Sequence, residues 1–129
     1  MIGKLEIAQN WLPRYTGMPL NKFGDYFLLT NFRNYATSFC KMFDCDLYGE
    51  NYPMQAATNS TGLTIINSGI GSPNAATIMD LLVAVRPKGL LFLGKCGGLK
   101  KSTELGHFIL PIAAIRGEGT SDDYFPPQV

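Results

Sequence analysis

At 129 residues, with 11 Lys+Arg against 10 Asp+Glu and a formal net charge of +1, the chain has the size of one domain and no electrostatic footprint for nucleic acid or an anionic membrane. Hydrophobic residues at 46% against 16% charged exclude a disordered chain, because that much apolar surface offsets the entropy of ordering. No apolar run approaches the ~18–20 residues that span a bilayer, and the opening Met1-Ile2-Gly3-Lys4-Leu5-Glu6 reads as too polar for a secretory signal.

Residues 4–14 carry Leu5, Ile7, Ala8, Trp11 and Leu12 at helical offsets, which predicts a short helix that Pro13 ends or kinks. The apolar run 26–30 predicts a buried strand, and 33–43 places Tyr35, Phe39, Met42 and Phe43 on one helical face. After a polar, turn-rich stretch from Asp44 to Tyr52, the β-branched run 62–68 predicts a strand that feeds Gly69-Ile70-Gly71-Ser72-Pro73. There Ser72 is the expected N-cap and Pro73 the first helical residue of a helix over 73–85, apolar enough to be buried on more than one side. A continuous apolar strand over 90–93 then ends in Gly94-Lys95-Cys96-Gly97-Gly98. A last strand is expected over 108–115, with Pro111 inside it, before a glycine-rich, acidic end.

Ten of the 14 glycines lie from Gly62 onward, at the ends of apolar runs, where the backbone must turn sharply or approach a ligand. Strand, glycine turn, helix, strand, glycine turn is the order of an open α/β sheet, whose ligands collect at the carboxyl ends of the strands. The loop 69–73 precedes a helix N-terminus and suits an anion or a polar ligand edge, but it lacks the Gly-Lys-Ser/Thr of a P-loop. Its alternative is a plain strand-to-helix turn. Lys95 among glycines faces a cleft, solvent or a carboxylate. Cys96 beside it reads as a packed thiol, since no Cys-His signature surrounds it or His107. Three cysteines at irregular spacing (Cys40, Cys45, Cys96) and a single histidine fit free thiols in a reducing cytoplasm, with no metal site and no disulfide framework. Glu118, Asp122 and Asp123 form an acidic patch without EF-hand spacing.

The stretches NSGIGSPNAATIMDLL (67–82), LFLGKCGGLK (91–100) and LGHFILPIAAIRGEGTSDDYFPP (105–127) together resemble the nucleoside phosphorylase/nucleosidase superfamily. With the NWLPRYTG start (10–17), they are similar to the short bacterial AMP nucleosidases, a family that hydrolyses AMP to adenine and ribose 5-phosphate. The resemblance implies a three-layer αβα fold around a mixed central sheet, no cofactor, and a cytoplasmic homo-oligomer acting on AMP or a related purine nucleotide or nucleoside. It implies that Gly69, Ile70 and Gly71 lie beside the ribose, that Lys95, Cys96 and Gly97 floor the site, and that Arg116, Thr120 and Ser121 stand at its rim. Phosphorylases carry an arginine where Phe92 stands, and a glycine-aspartate-proline segment with arginine where Thr30-Asn31-Phe32-Arg33-Asn34 stands. Without that clamp, water is the expected nucleophile rather than phosphate. His107 replaces the aspartate most common in the family.

The chain reads as one partial domain over 1–129, cut near the middle of the family's catalytic unit, with the catalytic acid and ribose-binding glutamate expected beyond Val129. Neither Asp122 nor Asp123 is assigned as that acid. The alternatives are a phosphorylase or another nucleosidase of the superfamily, or a non-catalytic nucleotide-binding fragment. The strand ends 69–72, 94–98 and 116–121 are expected to converge. Burial is expected to be highest at Ile65, Ile66, Leu90, Leu91, Phe92, Ile109 and Ile112, with Ile78, Leu81 and Leu82 on the covering helix.

Overall fold

A computed structural model describes residues 3–126; Met1, Ile2 and the final Pro127, Gln128 and Val129, on which the leader and truncation readings fall, lie outside the described residues. The chain divides into two compact units, one running to Gly94 and one from Lys95 onward.

The first unit is built on a four-stranded sheet. In chain order it contains α1 (Lys4–Thr16), β1 (Tyr26–Thr30), α2 (Arg33–Phe43), β2 (Gln55–Thr58), β3 (Leu63–Asn67), α3 (Ser72–Leu81) and β4 (Gly89–Leu93). The strand order is β2-β3-β1-β4. β1 lies between β3 and β4 and is parallel to both, with Leu28 opposite Ile65 on one side and Leu91 on the other. β2 runs antiparallel to β3, so the sheet is mixed.

Alternation along the strands sends successive side chains to opposite faces. Phe27, Leu29, Ala56 and Ile66 pack with Leu12 of α1 and Ile78 and Leu81 of α3. Their neighbours Ala57 and Ile65 pack with Ala36 and Phe39 of α2. Helices therefore cover both faces, and the three-layer αβα arrangement expected from the sequence is present. α1 buries Ala8, Leu12 and Thr16, a strict four-residue spacing. The Thr16 hydroxyl is satisfied by the Leu12 carbonyl at 2.8 Å. Thr64, also buried, accepts from the Gly24 N–H at 2.9 Å and shares a hydrogen bond with Thr58 at 2.8 Å.

Several expectations need correction. α1 continues through Pro13 to Thr16, because the Pro13 carbonyl still accepts the N–H of Gly17, which closes the helix in the left-handed conformation. α3 starts one residue early, with Gly71 as its cap and Ser72 as its first residue, and after Leu81 it tightens into a single 3₁₀ turn over Leu82–Ala84. It buries one side only: Met79 and Val83 are exposed. β4 forms where expected, but it is an edge strand, and Leu91 and Phe92 are about half exposed rather than in the core. β2 was not expected at all, since its sequence Gln-Ala-Ala-Thr has neither bulk nor alternation.

The second unit contains one short 3₁₀ turn, Thr120–Asp123, and no strand among its described residues. Residues 108–115 form no strand and bend at Ile112, and Ile109 and Ile112 are exposed. An apolar run becomes a strand only when a neighbour supplies the hydrogen bonds, and Pro111 removes one of its donors. His107, just before this run, is held in a turn: its N–H reaches the Glu104 carbonyl at 3.2 Å, and its Nδ1 accepts the Glu104 N–H at 3.3 Å.

Candidate functional site

The connections leaving β1 and β3 run to opposite faces, α2 on one and α3 on the other. Their first turns therefore part company between two adjacent parallel strands. In open α/β sheets this switch point opens a crevice at the carboxyl ends of the strands. A cavity of about 260 Å³ lies there, lined by Asn31, Ser68, Gly69, Gly71, Ser72, Ala75 and Phe92.

Each wall has a local cause. The Thr30 hydroxyl accepts the Phe32 N–H at 3.1 Å, and the Thr30 carbonyl accepts the Ser68 N–H at 3.0 Å, so the ends of β1 and β3 are stitched together beneath the cavity. Asn67 accepts the Gly69 N–H at 3.3 Å and donates to Gln55 at 3.2 Å, which turns the loop away from the sheet. Gly69 and Gly71 both have positive φ, 79° and 106°, a conformation that other residues adopt only with strain. Asn74 donates to the Ile70 carbonyl at 3.0 Å and fixes the loop tip, leaving the Ile70 side chain in solvent.

No side chain caps α3. The positive end of a ten-residue helix thus lies at the cavity, which Ser72 and Ala75 of its first turn line. Pro73 has no N–H and the Ala75 N–H is taken by the Gly71 carbonyl at 3.2 Å, which leaves the N–H groups of Ser72 and Asn74. Opposite it, Asn31 Oδ1 is buried and has no hydrogen-bond partner. The cavity offers amide donors, one acceptor and the half-exposed ring of Phe92, with no ionised side chain in its lining. That set fits a polar, flat-faced ligand whose hydroxyls donate and whose anionic part meets the helix end.

Of the residues expected at the site, Gly69 and Gly71 line this cavity, and Ile70 lies between them. Sequence reasoning missed Asn31 and Ser68 as site residues. Asn31 follows an apolar strand directly, and that position at a strand's carboxyl end was the available signal. Lys95, Cys96, Gly97, Arg116, Thr120 and Ser121 belong to the second unit. There Lys95, Cys96 and Gly97 are exposed. Arg116 binds its own segment, donating to the carbonyls of Ser121 at 3.5 Å, Phe125 at 3.1 Å and Pro126 at 2.7 Å and standing 3.6 Å from Asp122. Glu118 accepts the N–H and hydroxyl of Thr120 at 2.7 and 3.1 Å. Glu118 and Asp122 are thereby committed to shaping a turn. Among the described residues, no three His, Cys, Asp or Glu side chains gather as a metal site.

The family model described as the phosphorylase superfamily matches residues 52–129, a span that includes the loop 69–72 and β4. The chain belongs to this superfamily. Within it the chain is AMP nucleosidase-like. The crystal structure of AMP nucleosidase from Bacteroides thetaiotaomicron is 54% identical and superposes with a TM-score of 0.89 over 98% of this chain, which covers 53% of that one. The AMP nucleosidase of Escherichia coli K12 is 28% identical over 92% of this chain and 32% of its own length. A guanosine phosphorylase from Halorubrum lacusprofundi is 34% identical over 63% of this chain and 35% of its own. The chain thus spans about a third of these curated relatives and about half of the solved one.

Proposed function

We propose that the protein carrying this chain hydrolyses the N-glycosidic bond of AMP, releasing adenine and ribose 5-phosphate. The observation that carries this reading is the 54% identity to a solved AMP nucleosidase over nearly the whole chain. The switch-point cavity supports it. The amides of the loop 69–71 and of the α3 terminus bind the ribose and phosphate side of the nucleotide, and Asn31 Oδ1 accepts a ribose hydroxyl. Phe92 supplies a flat apolar wall in place of the phosphorylases' arginine. With no guanidinium there to clamp inorganic phosphate, water is the nucleophile.

In this proposal Lys95, Cys96 and Gly97 are substrate-binding residues of the protein, as are Arg116, Thr120 and Ser121. Lys95 acts as a point charge on the 5′-phosphate. No residue of the chain is assigned as the acid that protonates the leaving base. The protein works as a cytoplasmic homo-oligomer. Two features support association and location: the half-exposed apolar edge strand β4, and three cysteines that are all free thiols.

The competing reading is phosphorolysis, favoured by the 34% identity to a guanosine phosphorylase. Product analysis separates the two in a protein that carries this sequence together with the second half its solved relative has. Hydrolysis gives ribose 5-phosphate at a rate indifferent to added inorganic phosphate. A requirement for phosphate, with a second phosphate on the ribose product, would overturn it. In the same protein, Lys95→Ala should lower kcat/KM for AMP by about 2–3 kcal/mol, the range of a lost charge-assisted hydrogen bond, and affect adenosine far less. Equal losses on both substrates would remove Lys95 from the phosphate.

A further inference from the structure

A second chemically distinctive feature lies at the C-terminal end of α2, outside the strand-end cavity. The helix closes with Asp44 in the left-handed conformation, φ 48°, and the Cys40 carbonyl accepts the N–H groups of both Asp44 and Cys45, the latter at 3.2 Å. This way of ending a helix brings the side chains of those two carbonyl-sharing positions, five residues apart, against each other. Here both are cysteines. The backbone hydrogen bond also holds their Cα atoms within reach of the roughly 4.4–6.8 Å that a disulfide spans.

In the reduced form both are free thiols. Both side chains are half-buried against the cluster of Ala36, Phe39, Ala57 and Ile65. Cys45 lines a cavity of about 360 Å³ together with Lys22, Asp44, Asp46 and Tyr48, which brings solutes to its sulfur.

We propose that Cys40 and Cys45 form a redox site, in which hydrogen peroxide converts the dithiol into an intramolecular disulfide that locks the end of α2. The Cys45 sulfur attacks one peroxide oxygen and the O–O bond breaks, leaving Cys45 as a sulfenic acid and releasing one water. The Cys40 sulfur then attacks the Cys45 sulfur. The S–S bond forms, the S–O bond breaks, and the hydroxyl leaves with the Cys40 proton as a second water. Two electrons pass from the two thiols to the peroxide. Attack goes through the Cys40 thiolate, so the rise in its pKa from burial and from Cys45 slows this second step at neutral pH. Cys96 belongs to the other unit of the chain and takes no part.

The test treats the full chain with hydrogen peroxide, blocks the remaining thiols by alkylation and digests it with trypsin, which cuts at Lys41 between the two cysteines. The expected result is a pair of peptides joined through Cys40 and Cys45, separated by a reductant, with Cys96 fully alkylated. Cys96→Ser leaves the joined pair unchanged, and Cys45→Ser abolishes it while Cys40 stays alkylatable. Full alkylation of both Cys40 and Cys45 after peroxide, or a bond from either one to Cys96, would overturn the proposal. So would conversion of Cys45 to a sulfinic acid with no bond formed.

Discussion

Asn31 is the side chain whose environment says most about the site. A buried oxygen without a partner costs about 1–3 kcal/mol, so a fold that served only itself gains by removing it. Asn31→Ala should therefore leave the melting temperature unchanged or raise it, while weakening AMP binding; a clear drop in melting temperature would make Asn31 a structural residue. Cys40 gives a pH signature. Its thiol is pushed up to about 11, first by burial and then by Cys45 and Asp46. Below about pH 9 it is protonated in both the folded and the unfolded chain. Between about 9 and 11 the unfolded chain loses that proton first, the folded state holds more protons, and stability falls as pH rises. Urea midpoints of the chain and of Cys40→Ala measured across that window should diverge, with the variant declining less. Parallel declines would contradict the shift.

At the scale of elements, the periodicity of the sequence was a good guide wherever a segment packs on both sides of the sheet. α2 and β1 occur with the expected bounds, since each joins strong local propensity to a covered face. It misled where burial depends on a neighbour. The leucines and phenylalanine of β4 look like core from composition, yet they sit on an edge. The run 108–115 has the residues of a strand and no ladder among the described residues. β2 went unseen because small residues carry no pattern, although Ala56 and Ala57 are fully buried beneath bulkier neighbours. The site was half legible: the glycines announced the loop, but nothing local distinguished Asn31 from any polar residue after a strand. Energetics should follow the same division. Leu12→Ala and Ile78→Ala, at residues with no exposure, should each cost about 2–5 kcal/mol in chemical denaturation. Leu91→Ala, at a half-exposed position, should cost well under half as much. Equal losses at Leu12 and Leu91 would mean that β4 is covered.

For the molecule as a whole, family membership, the mixed αβα sheet and the strand-end cavity are what support the proposal of nucleotide binding at the switch point between β1 and β3. Parallel strands alone do not create that cavity. It needs the reversal of direction that sends α2 and α3 to opposite faces, together with glycines at 69 and 71 that let the loop pass close to a ligand. No helix among the described residues is long and apolar enough to cross a membrane. Nucleotide binding at this cavity is best tested by amide hydrogen exchange of this chain with and without AMP. Slowed exchange at residue 31 and over 68–72, stronger with AMP than with adenosine, is the predicted result. Protection confined to other segments, or none at saturating AMP, would contradict it.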